Sequence, residues 1–310
     1  MYRLISYRCV VLPVYVSWLP MRSRLEFIIT GILFASLWAS ASIAAKFGLR
    51  SVEPMVLFSI RFLVAGMLLL AYAYGVQKQP LPDRTAWKQL IIFSLLNTSL
   101  YLGFFIVALT QVAAGIGSLA TATNPLFIGV LSSLWLGRNL GGREWVSLFL
   151  GLVGVAVASF PLLQQPGTTV LGLALLGLSM LSYSAGALYY RRVEWNLSRT
   201  AINGWQVLMG GFTIAPLAFL FHQSPNRFDT TWWASLAWLI FPVSILSVQL
   251  WLKLLRADAV KASFFLLLCP VFGFAYATWL LDEPFTLYTF GGTVLVLAGL
   301  YGGQQPVKQK

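Results

Sequence analysis

The sequence predicts an all-α integral membrane protein of ten transmembrane helices, arranged as two inverted five-helix repeats. Three observations carry that reading. Of 310 residues, 58% are hydrophobic and 10% charged, whereas soluble domains carry roughly 25% charged residues. Ten apolar stretches follow one another, each near the ~20 residues that cross a bilayer core. The chain also aligns with itself at one constant offset of 145 residues. The same composition excludes disorder, and two cysteines, Cys9 and Cys269, exclude a disulfide scaffold.

Residues 1–25 are read as a cytoplasmic leader. Its apolar run VVLPVYVSWLP is interrupted by Pro13 and Pro20, is too short to span, and lacks the small-residue cleavage site of a secretory signal. Met21 opens a natural start to the first span, so a true start at Met1 or at Met21 stays open. The spans fall near 27–46, 55–75, 89–109, 113–136, 145–163, 168–190, 201–221, 232–252, 260–281 and 286–303, bounded by charges, Pro and Gly. Arg61 is the one charge well inside any of them. Connections of a few to a dozen residues make neighbouring helices antiparallel and leave no room for a soluble catalytic or nucleotide-binding domain. Spans one to five form a first repeat, 26–163, and six to ten a second, 164–303. Residues 304–310 form a cytoplasmic tail.

The net charge of +12 would suggest nucleic acid in a soluble protein. Here it has a membrane explanation. With the N-terminus inside, 17 of the 21 Lys and Arg residues fall in inner segments. Only Lys46, Arg50 and Arg227 fall outside, and Arg61 lies within a span. This asymmetry puts both termini in the cytoplasm and implies contact with lipid headgroups rather than nucleic acid. The expected location is a bacterial inner (plasma) membrane.

At the 145-residue offset, Pro125 falls on Pro270, Trp38 on Tyr183, Gly66 on Gly211, Trp87 on Trp232 and Gly154 on Gly299. Each copy holds five spans, and an odd number makes the second copy enter from the opposite face. Loop charges swap accordingly: the inner turn with Arg138 and Arg143 has an outer image with Asp282 and Glu283.

Two copies that each end in a P-[LV]-F helix, a short polar turn and a Gly-rich last helix resemble the EamA family of the drug/metabolite transporter superfamily. LWASASIAAKFGL, IRFLVAGMLLL and NPLFIGVLSSLWLGRNLGGREWVSLFLGLVGV carry the resemblance in the first copy, and CPVFGFAYATWLLDEPFTLYTFGGTVLVLAGL in the second. Arg138 departs from the family's acid after helix four, and its inner location accounts for that. The resemblance covers 26–303. It implies secondary transport, often export, of small metabolites, and leaves the cargo unnamed.

Substrate in inverted-repeat transporters binds near the midplane, beside interrupted helices. Pro125 and Pro270 are the expected helix breaks, freeing the carbonyls of Thr121 and Leu266. Trp38, Asn97, Tyr101, Thr121, Asn124, Tyr183, Ser244 and Gln249 are the expected substrate-binding residues at that depth. Interhelical hydrogen bonding explains any single Ser or Thr better than substrate binding does, and core packing is the alternative for the aromatics. The three amides, each with four hydrogen-bonding positions, are harder to account for that way. Arg61 is either a functional intramembrane charge or a structural one whose stem snorkels outward to Glu53, and the second is the expectation. His222 reads as solvated, and Cys269 as a small buried hydrophobe.

No Asp or Glu lies in the middle third of a span, where proton-driven pumps place a relay. The substrate is therefore expected to be neutral or zwitterionic, moved without a central carboxylate, with Glu26 at the inner mouth as the exception. No cofactor and no metal is expected. A membrane-embedded enzyme lacks the paired acids or bases it would need, and no phosphate-binding GxxxxGK[ST] loop is present for primary transport. A nucleotide-sugar-type transporter and a non-transporting scaffold are the alternatives. A monomer and a homodimer both stay open, with the GxxxG of Gly299 and Gly303 read as packing inside the monomer.

Overall fold

A computed structural model of the chain describes residues 23–109, 111, 120–137, 140–158, 160, 169–220, 225–281 and 286–303. Among these the regular structure is helical throughout. Residues 1–22 of the leader, with Cys9 and Met21, and Arg138, His222, Asp282, Glu283 and the tail lie outside the described residues.

Helix α1, Arg24–Gly48, starts with a serine N-cap: the Ser23 hydroxyl accepts from the Glu26 N–H. Helix α2, Pro54–Ala71, has proline in its first turn, where the missing N–H costs no bond, and runs on as a π-helical turn, Tyr72–Val76. Asp83 caps α3, Arg84–Ser94. A π-helical stretch, Leu95–Leu100, leads into α4, Tyr101–Leu109. Helix α5, Asn124–Leu136, stops at Gly137, whose φ of 62° is the left-handed ending that glycine adopts without strain. Next come α6, Gly142–Ala158, α7, Val170–Arg192, and α8, Arg199–Leu220.

Helix α9, Thr230–Trp238, is capped by Asp229 and passes through a second π-helical stretch, Leu239–Ser247, into α10, Val248–Ser263. A 3-10 turn, Phe264–Leu267, precedes α11, Leu268–Leu281, and α12 is Leu287–Gly303. The spans read at 232–252 and 260–281 thus lie on one nearly continuous helical run. The chain turns between them at Asp258, whose backbone is non-helical (φ −160°, ψ 105°). Its Oδ1 accepts from the Lys261 N–H at 3.0 Å, capping the next segment.

Among the described residues, four helical runs are long and apolar enough to cross a membrane: Arg24–Gly48, Pro54–Val76, Val170–Arg192 and Thr230–Leu280. Asn124–Leu136 and Leu287–Gly303 are apolar but shorter. Large apolar side chains stand exposed on many helices, among them Leu287 (89%) and Trp279 (78%). A surface of that kind suits lipid, not water.

Close helix pairs follow the 145-residue offset. A Cβ at Gly66 would come within 2.8 Å of Leu208 Cα, and one at Gly211 within 3.0 Å of Leu63 N. One at Gly154 would come within 2.7 Å of Gly292 O, and one at Gly299 within 2.7 Å of Ser147 O. Each contact is the other's image with the two partners exchanged. Only glycine lets α2 meet α8, and α6 meet α12, at that range, which is how helices associate where no hydrophobic effect drives them together. The Gly299 and Gly303 pair is spent inside the monomer, against α6 and Phe264 respectively.

Candidate functional site

The π-helical stretches and the breaks before Pro125 and Pro270 bring most of the expected polar residues into one buried belt. Pro125 and Pro270 do not sit mid-helix. Each lies in the first turn of a new helix, after a non-α turn at 122–123 or Phe264–Leu267. The interruption therefore falls just before the proline. The Thr121 carbonyl is met by the Asn124 side chain, Nδ2 donating at 3.0 Å. Ser184 of α7 donates in turn to Asn124 Oδ1 at 3.2 Å, tying the break to the neighbouring helix.

A chain of hydrogen bonds crosses the interior. Arg61 Nε donates to Ser244 Oγ at 2.8 Å. Asn203 Nδ2 donates to Ser244 O at 2.9 Å, and Gln206 Nε2 to Asn203 Oδ1 at 3.1 Å. Asn97 Nδ2 then donates to Gln206 Oε1 at 2.8 Å. Four segments are linked: α2, the second π-helical stretch, α8 and the first π-helical stretch. A π-helical turn widens the helix and re-aims its side chains, and both stretches supply a member of the chain.

An aromatic ladder lies beside it. Trp38 packs on Phe34 at 5.8 Å, Phe34 stacks on Trp251 at 4.8 Å, Trp251 on Tyr183 at 6.3 Å, and Tyr183 meets Tyr101 at 5.0 Å. Here α1, α10, α7 and α4 converge.

Three buried polar atoms in this belt have no partner: Asn97 Oδ1, Tyr183 OH and Trp251 Nε1. Orphans of this kind are rare in native interiors and call for an explanation. One acceptor and two donors around an aromatic wall suit a small ligand with both polar and apolar surface. Among the described residues, no three His, Cys, Asp or Glu side chains meet as a metal site requires.

Arg61 corrects the expectation that it snorkels to Glu53. It is 6% exposed, its guanidinium faces the rings of Phe62 (5.0 Å) and Phe58 (5.8 Å), and its Nε is committed to Ser244. The side chain turns into the bundle because Ser244 offers an acceptor there. Gln249 lies apart from the belt, donating to Arg199 O at the start of α8 (3.2 Å). Glu26 pairs with Lys253 at 2.5 Å. Asn203, Gln206, Phe34 and Trp251 belong to the belt although the sequence analysis did not single them out. An Asn–Gln pair three residues apart in an apolar helix was the available signal for the first two.

The sequence profile of the EamA-like transporter family matches residues 26–160 and again 170–302. The chain belongs to the EamA-like transporter family. It is thereby a multi-pass membrane protein, related to transporters of the drug/metabolite superfamily. An uncharacterized transporter of Synechocystis is 26% identical over 283 residues, 86% of either chain. A protein of Escherichia coli K12 named as a probable amino-acid metabolite efflux pump is 26% identical over 285 residues, 88% of this EamA-like chain and 93% of its own. A protein of known crystal structure, 19% identical, superposes with a TM-score of 0.77 over 91% of this chain and 98% of that one, which shows the fold.

Proposed function

We propose that this EamA-like protein is a secondary transporter that exports small neutral or zwitterionic metabolites, amino-acid-like or drug-like, by alternating access. The observation that carries the reading is the set of orphaned polar atoms, Asn97 Oδ1, Tyr183 OH and Trp251 Nε1, beside a ladder of aromatic rings. The amino-acid metabolite named for the Escherichia coli relative fits that chemistry.

Ten spans in two inverted repeats, 26–163 and 164–303, support alternating access, because rocking one repeat against the other opens a fixed site to each side in turn. The exchanged glycine contacts and the doubled family match favour that architecture. In this reading the termini face the cytoplasm of a bacterial cell, the protein carries no catalysis, and its partners are the substrate and lipid. A nucleotide-sugar cargo is disfavoured, because its phosphates need several cations and Arg61 is the one basic residue deep in a span.

Counterflow in proteoliposomes loaded with single amino acids tests the proposal. Saturable exchange that ignores an imposed pH gradient is expected. Strong stimulation by the gradient overturns coupling without a carboxylate, and no exchange above protein-free vesicles favours a scaffold.

A further inference from the structure

We infer that Arg61 is the specificity-determining residue that holds the carboxylate of the transported solute. The inference rests on the transporter reading above and narrows its cargo to zwitterions that carry a carboxylate. Arg61 is 6% exposed within an apolar helix. Its one hydrogen bond uses Nε, toward Ser244 Oγ, so the two Nη groups meet no acceptor among the described residues. No described carboxylate pairs with it either. A cation in such a place is costly unless a counter-charge joins it.

The geometry is that of a fork waiting for an anion. Ser244 fixes one edge of the guanidinium and the rings of Phe58 and Phe62 lie against it. Two parallel N–H groups remain to bind a carboxylate in bidentate fashion.

The test compares acids with their amides, which keep the ammonium and lose the carboxylate. Thermal midpoints of the purified protein are read with L-leucine and L-phenylalanine against L-leucinamide and L-phenylalaninamide. The acids should raise the midpoint and the amides should not. Arg61→Gln should weaken the acids roughly ten- to a hundredfold, the range for a lost hydrogen bond to a charged group. Arg61→Lys keeps the charge without the fork and should fall between the two. Equal stabilisation by acid and amide, unchanged affinity in a folded Arg61→Gln protein, or binding of no acid overturns the inference. Should Arg61→Gln fail to fold, the wild-type acid and amide comparison still decides. Exchange in proteoliposomes that proceeds without acid selectivity removes this assignment alone, whereas no exchange of any solute removes the transporter reading beneath it.

Discussion

Asn124 holds the break at the start of α5 together. Its amide donates to the Thr121 carbonyl and its Oδ1 accepts from Ser184, so one side chain closes the gap and anchors it to α7. Asn124→Ala removes both of these side-chain bonds, and should lower stability by about 1–3 kcal/mol, measured as unfolding in detergent. Asp229 is a second local device, outside the spans. The Trp232 N–H above all, then the Ser51 hydroxyl, holds its carboxyl below the usual carboxylate range. The folded form is the stronger acid, so the stabilisation is complete above about pH 4 and is lost as pH falls through the depressed value. Asp229→Asn should therefore lower the thermal midpoint at pH 7, with the gap to wild type narrowing toward pH 3. Asn97 and Asn124 were legible in sequence because an amide deep in an apolar run must find partners somewhere. Trp251 was not, because it sits near the basic residue Lys253, where an aromatic side chain reads as an interfacial flank. Arg61 was visible as a charge, but its direction depended on Ser244, 183 residues away.

At the scale of elements, caps and breakers did much of the placing. Ser23, Asp83, Thr169 and Asp229 each accept from the N–H three residues on, and their helices start there. The first π-helical stretch left no such trace, since LLNTSL keeps the composition of an ordinary span, whereas LIFPVSILS carries Pro242, whose missing N–H breaks the α-helical ladder there. The glycine pairs were legible as repeats, and the structure adds their use. Gly66→Ala and Gly211→Ala force the same two backbones apart from opposite sides. Both should destabilise by about 1–3 kcal/mol, the usual range for overpacking, and by similar amounts in detergent unfolding. Loss at only one would mean that the contacts are not equivalent.

For the whole molecule, the composition announced a lipid-facing surface, and the exposed rings and aliphatic side chains bear that out. The polar belt was only half legible. Its residues come from spans far apart in sequence, and no local pattern says which helix faces meet. Alternating access about that belt is the central claim of this account. It is tested most directly by placing Tyr183→Cys in a Cys9→Ser, Cys269→Ala background and labelling proteoliposomes with an impermeant maleimide from each side. Alternating access predicts reaction from both sides, slowed by a transported amino acid. A cysteine that reacts from neither side, or from one side with no effect of any solute, would contradict it.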